Sequence, residues 1–166
     1  IKAYGHALRL DPEWADKAAR VSAMARDITE FMVEIGLEKP ATPTGLRVVY
    51  HSACSMQHGQ RIVNQPKDLL REAGFTVLDV PEGYLCCGSA GTYNLLPPDI
   101  ANELKERKLR NIRSVHAQIA ASGNIGCMTQ LAGEAGLPFV HTVELLDWAT
   151  GGPEPAALKG QKLAAE

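Results

Sequence analysis

From Asp11 onward the apolar positions recur at three- and four-residue steps: Trp14, Ala18, Val21, Ala25, Ile28, Met32 and Ile35. That period is helical, Pro12 suits a first turn and Gly36 supplies a stop, so one amphipathic helix is predicted over residues 11–36. A stripe of this kind normally serves as core or as a contact with a second chain. Residues 39–45, with two prolines and a closing glycine, read as a linker.

Beyond the linker the pattern alternates. Short apolar, mostly β-branched runs at 46–50, 75–80, 118–121 and 139–141 predict four strands, and helical periods at 66–73, 98–115, 128–135 and 142–148 predict the helices between and after them. Gly74 ends the first of these helices and Thr142 is placed to cap the last. The long helix sets Ile100, Leu104, the aliphatic stem of Lys108 and Ile112 on one face, and its Lys105, Arg107, Lys108, Arg110 and Arg113 read as solvated charge. Strand and helix in alternation predict an α/β fold: a mostly parallel sheet of about four strands flanked by helices, preceded by the N-terminal amphipathic helix. The expected organisation is a helical segment and linker over 1–45, a cysteine-bearing α/β domain over 46–150 and a flexible tail over 151–166. No internal repeat is visible.

Composition narrows the function classes. The chain has 166 residues, 45% of them hydrophobic, enough for one core. A net charge of -2, from 17 basic and 19 acidic residues, leaves no footprint for nucleic acid or an anionic membrane surface. No apolar run is long enough for a transmembrane segment and nothing resembles a secretory signal, so a cytoplasmic protein is expected. The chain opens at Ile1 without an initiator Met, as expected of a piece of a longer protein.

The candidate chemistry lies in four cysteines, Cys54, Cys86, Cys87 and Cys127, each in a Gly- or Ser-containing stretch between a β-like run and a helical one. In a parallel sheet those stretches share one edge, so remote thiols can meet there. Two of the four are adjacent and the set is sparse, which argues against a secreted disulfide framework and for a metal or redox centre in a reducing compartment. Thiolates are the preferred ligands of iron-sulfur clusters, and four suffice for a 4Fe-4S centre. Helices starting just past the thiols would turn their positive ends toward it, and Gly88, Gly91, Gly123 and Gly126 would let backbone amides approach sulfur. The Gly88–Thr92 run lacks the Gly-Lys-Ser/Thr ending of a phosphate loop. His51 and His58 flank Cys54 closely enough to act as ligands or as donors behind them, although a backbone partner is the commoner fate of a loop histidine. His6, His116 and His141 show no ligand spacing. Tyr93 stands near enough to Cys86-Cys87 to shield a cluster, and Trp148 reads as packing.

The order Cys54, then Cys86-Cys87-Gly88, then Asn124-x-x-Cys127, with residues 55–85 and 88–123 as spacers, resembles the CCG or cysteine-rich domain of heterodisulfide reductases and of the iron-sulfur subunits of hydroxyacid and glycerol-phosphate dehydrogenases. That family's pattern closes on Cys-x-x-Cys; here Asn124 stands in place of the first closing cysteine. The stretches His51–Arg61 (HSACSMQHGQR), Cys86–Leu96 (CCGSAGTYNLL) and Gly123–Leu131 (GNIGCMTQL) look most like glycolate oxidase iron-sulfur subunits, and Ile1–His6 (IKAYGH) resembles the stretch that follows the first of their two repeats.

The resemblance implies that Cys54, Cys86, Cys87 and Cys127 are metal ligands, with Gly88, Asn124 and Gly126 beside the cofactor. It implies a second repeat, with two ferredoxin-like motifs and a first repeat upstream. The five-cysteine form carries a two-part, non-cubane cluster, and the departure at Asn124 leaves three arrangements open: a four-cysteine iron-sulfur cluster such as 4Fe-4S, a four-thiolate zinc site, or thiols gathered without metal. Adjacent cysteines fit a multi-iron cluster more easily than a single zinc ion. The function implied is that of an electron-transfer module of a glycolate oxidase (glycolate dehydrogenase) complex, peripheral at the inner membrane. In that complex FAD-bearing partner subunits oxidise glycolate to glyoxylate, and this chain, without the hydroxyacid-oxidising site, passes electrons toward a membrane quinone or another acceptor. The competing classes are a zinc-stabilised, non-catalytic interaction domain and a thiol-disulfide redox module at Cys86-Cys87.

Overall fold

The structure is a computed structural model that describes residues 1–41, 45–89, 91, 96 and 98–163. It divides into two compact units, Ile1–Gly36 and Leu37–Glu166.

The first unit contains α1 (Tyr4–Ala7), α2 (Ala15–Met24) and α3 (Ile28–Ile35). The single long helix expected over 11–36 is therefore broken. Ala25 is extended, with φ -67° and ψ 123°. Asp27 then starts a new helix through a capping box: its carboxylate accepts from the Thr29 amide at 2.9 Å, and the Glu30 carboxylate accepts from the Asp27 amide at 2.8 Å. Two satisfied amides at this point outweigh the continuous apolar stripe. Gly36, at φ 83°, ends α3 as expected. Between α1 and α2, the Gly5 amide donates to Ser22 Oγ at 2.8 Å, and a Cβ on Gly5 would come 3.0 Å from the Ala19 backbone.

The second unit is built on four parallel strands, β1 (Arg47–Tyr50), β2 (Thr76–Asp79), β3 (Ile119–Ser122) and β4 (Phe139–His141), in the order β2-β1-β3-β4. The register pairs Val49 with Leu78 on one side and with Ala120 on the other, and Ala121 with Val140. Helices α4 (Gln65–Glu72), α5 (Pro98–Ser114) and α6 (Ile125–Leu131) connect the strands, and α7 (Thr142–Ala149) follows β4. The α/β expectation holds, with all four predicted strands present.

Both sheet faces are covered. Val49 and Ala120 join Leu109 and Ile112 of α5 and Leu131 of α6 in one buried cluster, while α4 and α7 pack against each other on the opposite face. Coverage on both sides explains why β1 and β3 lack polar alternation: Val48, Val49, Ile119, Ala120 and Ala121 are all fully buried. β2 lies at the edge and is only half covered. The buried face of α5 is Ala101, Lys108, Leu109 and Ile112, whereas Ile100 is 51% exposed, so the predicted stripe was misphased at its start. The stem of Lys108 lies on the buried face as its position predicts, but its ammonium, expected among the solvated charges, is buried too and donates to the Glu82 carbonyl at 3.0 Å. α7 is capped by His141, whose Nδ1 accepts from the Val143 amide at 3.3 Å, and not by Thr142.

The segment expected as a flexible tail contains a 3-10 turn at Ala156–Leu158 in which Leu158 has no exposed surface. Truncating that buried side chain removes its transfer free energy and leaves a cavity. Leu158→Ala is expected to lower unfolding free energy by about 2–4 kcal/mol, seen as a shifted urea midpoint at unchanged slope. A loose tail would give no shift.

Candidate metal centre

The order β2-β1-β3-β4 makes the chain leave β1 toward one side of the sheet and enter β3 on the other. The carboxyl ends of β1 and β3 then flank a crevice, the usual ligand position in open parallel sheets. All four cysteines line one cavity of about 350 Å³, together with Asn124 and Gly126. Cys54 follows β1, Cys86 and Cys87 follow β2, and Cys127 lies in the first turn of α6 after β3.

Each loop is held by identifiable contacts. Cys54 precedes a π-helical turn, Ser55–Gln60, anchored by the buried Ala53 and Met56; such wide turns recur at functional sites. The β2 loop is clamped onto α5. Arg107 and Asn111 bind the Glu82 carboxylate, with Arg107 Nε to Oε2 at 2.8 Å and Asn111 Nδ2 to Oε2 at 3.0 Å, and Asn111 Nδ2 also donates to the Pro81 carbonyl at 2.9 Å. Glu82 itself sits at φ 53°, a left-handed turn that these bonds and the Lys108 contact hold in place. The loops bearing Cys54 and Cys86 are tied together by Gln57 Nε2, which donates to the Gly83 carbonyl at 3.0 Å, and by His58 Nε2, 3.1 Å from the Tyr84 carbonyl. His58 thus has the backbone partner expected of a loop histidine.

Close backbone approach completes the assembly. Gly88 has φ 85°, and a Cβ there would lie 2.2 Å from the Ala101 carbonyl oxygen, so α5 abuts the Cys-Cys-Gly turn at a point where no side chain fits. The Gly88 amide donates to Cys86 Sγ at 3.4 Å. A Cβ on Gly126 would meet Ser89 Oγ at 3.1 Å and one on Gly123 would meet Met56 Sδ at 3.3 Å, so the β3–α6 turn packs directly on the other two loops. Asn124 caps α6: its Oδ1 accepts from the Cys127 amide at 3.1 Å. Gly91 has nothing within 4 Å of a built Cβ. Tyr93, considered as a shield, lies outside the described residues.

The thiols are all free and fall into two tiers. Cys87 and Cys127 are 2% and 5% exposed and belong to the core cluster, whereas Cys54 and Cys86 are half-buried. His51, one residue past β1, is 2% exposed. Among the described residues, His51, Cys87 and Cys127 are the one group of three such side chains whose ligand atoms all lie within 4.8 Å of one another. The sequence offers His51 as a ligand or donor by its distance from Cys54, and the structure sets it against Cys87 and Cys127. The signal was available, because a residue continuing β1 at the crevice shares the rim with residues that follow β3.

The charges follow from the geometry. The Cys127 thiol donates to Cys87, which holds the Cys87 thiol well below its ordinary range, and His51 adds to that effect against the cost of burial. The same hydrogen bond, with burial, pushes Cys127 up. Burial raises Cys86 as well, opposed by the Gly88 amide. Burial pulls the Lys108 ammonium down while the Cys87 thiolate holds it up, so α5 supplies a cation that interacts with the sulfur charge. The donor set of soft thiolates, with a buried imidazole beside it, fits a thiophilic metal group. It does not present four sulfurs as one tight tetrahedron for a single zinc ion.

Comparison with known proteins adds the lineage. The family model for the CCG cysteine-rich domain matches residues 48–132. The chain belongs to the CCG cysteine-rich domain family. It is 38% identical over 149 residues to the glycolate oxidase iron-sulfur subunit of Escherichia coli, covering 90% of this chain and 37% of that protein. It is 27% identical to lactate utilization protein A of Oceanobacillus iheyensis, covering 89% of this chain and 63% of that protein. The same identity, 27%, relates it to a probable glycolate oxidase iron-sulfur subunit of Bacillus subtilis, over 89% of this chain and 36% of that one. The chain thus spans between about a third and under two thirds of the length of these relatives. Among the described residues, no helix of this CCG domain is long and apolar enough to cross a membrane.

Two predictions test how the CCG turn is held. Gly88→Ala is expected to cost more than about 2 kcal/mol in a urea titration, from the positive φ and the contact with Ala101 together. The Arg107 and Asn111 hydrogen bonds hold the Glu82 carboxyl down at about 2. A carboxyl depressed in the folded state stabilises it above its unfolded value and loses that contribution as pH falls through the folded one. The stability difference between the parent chain and Glu82→Gln should therefore be complete above pH 4.5 and shrink toward pH 2, with the Glu82 carboxyl resonance titrating at the lower end.

Proposed function

We propose that this CCG domain is the electron-transfer module of a 2-hydroxyacid-oxidising complex, and that Cys54, Cys86, Cys87 and Cys127 hold an iron-sulfur cluster. The observation that carries this reading is the convergence of four free thiols from three loops on one cavity of about 350 Å³. The relatives' names support it, since two are iron-sulfur subunits of glycolate oxidase. Glycolate is the first candidate substrate of the assembly, with lactate raised by the lactate utilization relative. On this reading glycolate becomes glyoxylate on partner subunits that carry FAD, and the acceptor is a membrane quinone or a membrane-associated protein. The complex is cytoplasmic and peripheral at the inner membrane.

A bound cluster would accept and release single electrons. The residues of the chain prepare the place. Cys87 is drawn toward its thiolate form, the state in which sulfur binds metal. Gly88 offers an amide to sulfur and lets α5 close on the Cys-Cys-Gly turn, and Gly126 lets the β3–α6 turn approach Ser89. Asn124 holds the start of α6 and with it the direction of Cys127. Lys108 offsets negative charge on sulfur.

One observation favours a second reading. The tight trio His51, Cys87 and Cys127 matches the ligand types of a zinc site with an open position. Anaerobic reconstitution with iron and sulfide, followed by metal and sulfide analysis and electron paramagnetic resonance, separates the two. Iron with matching sulfide supports the relay, and one zinc without sulfide supports the alternative. Under the relay reading, Cys54→Ser and Cys127→Ser each lower cluster loading by about tenfold or more while the far-ultraviolet circular dichroism of the chain is unchanged. Cluster content equal to that of the parent chain would remove these residues from the ligand set.

A further inference from the structure

His51 is buried to 2% exposure, and neither its Nδ1 nor its Nε2 has an oxygen or nitrogen partner; the group its ring acts on is the Cys87 sulfur. This is unusual for an imidazole, since a buried polar atom left unbonded is unfavourable. Other histidines of the chain are placed differently: His58 meets the Tyr84 carbonyl and His141 caps α7. His51 has no such structural role for its ring. Its backbone amide instead extends the sheet ladder, donating to the Ala121 carbonyl at 2.8 Å, so the ring is carried at a fixed place on the crevice rim. What lies there within 4.8 Å is sulfur, the Sγ atoms of Cys87 and Cys127.

Asn124 stands where the family pattern has a thiolate, and its side-chain oxygen is engaged with the Cys127 amide. The ligand set is thus one short of the five-cysteine pattern, while an imidazole with no oxygen or nitrogen partner is buried beside the two innermost sulfurs. We propose that His51 is the fifth protein ligand of the metal group, binding one iron through a ring nitrogen beside Cys87 and Cys127. This rests on the iron-sulfur reading above. A neutral imidazole in place of an anionic thiolate lowers the negative charge around the cluster and raises its reduction potential.

The test uses the whole chain, made with ordinary histidine and with histidine labelled with heavy nitrogen, reconstituted anaerobically with iron and sulfide. Pulsed electron paramagnetic resonance of the paramagnetic redox state should show a strong nitrogen coupling that changes with the label, a result that needs no variant. His51→Cys, which restores a thiolate, should keep iron and sulfide, lose the coupling and lower the potential. His51→Ala, which offers no ligand, should weaken cluster retention about tenfold or more. A cluster that loads without label-sensitive coupling, or a coupling that persists in His51→Cys, overturns the ligand assignment and leaves the iron-sulfur reading standing. If the parent chain takes up no iron and sulfide, the iron-sulfur reading fails and the fifth ligand fails with it.

Discussion

The close approach of three loops over the carboxyl ends of β1 and β3 is the constraint on which the site depends. Strand order creates the crevice, but order alone leaves the loops free to splay. Close contacts bring them together: Gly88 against the Ala101 carbonyl, where no side chain fits, and, with less constraint, Gly126 against the Ser89 side chain and Gly123 against that of Met56. At Gly88 the backbone lies where an ordinary residue would hold it away. Four thiols from three loops therefore share one cavity, and the sheet core continues into its floor through Cys87 and Cys127.

Placing sulfur in a core raises an electrostatic problem, because a thiolate there loses its hydration. The chain answers with a short list of groups. Cys127 donates its proton toward Cys87, His51 stands beside both, and the Lys108 ammonium interacts with the sulfur charge. Lys108 also donates to the Glu82 carbonyl, so the residue that supplies charge also fixes the loop that carries Cys86 and Cys87. Arg107 and Asn111 clamp the Glu82 carboxylate from the same helix. α5 is thus more than a crossover connection: its charged face, which looks solvated in one dimension, organises the CCG turn.

Those same residues show what could be read in advance. The strands were legible because burial on both sheet faces selects continuous apolar runs, and Gly36 and Gly74 were legible as stops because their positive φ leaves few other residues suitable. That the thiols share one rim was legible from the parallel strands, although their close approach depends on the loop contacts. The helix break at Ala25 was missed because periodicity was weighed over the Asp27-x-x-Glu30 capping signal, which was present in the sequence. Lys108 and His51 were legible only in part: the stem of Lys108 falls on the apolar face of α5 and His51 continues β1 at the crevice, but their partners were not. Both depend on contacts across long sequence separations, Lys108 with Glu82 and His51 with Cys87 and Cys127, that no local pattern records.

Asn124 brings these threads together. Read only against the family pattern, it is a missing ligand. In the fold it is an N-cap with extended backbone, φ -137° and ψ 117°, and its side chain accepts the Cys127 amide, one of the orphan donors of the α6 first turn. A thiolate is a poorer partner for that amide than an amide oxygen, so the substitution exchanges a metal ligand for a firmer helix start. The exchange is compatible with a metal centre because the residue that aims Cys127 need not itself bind metal. A substitution in a ligand motif thus has to be judged by what the new side chain holds in place, as well as by the donor it removes.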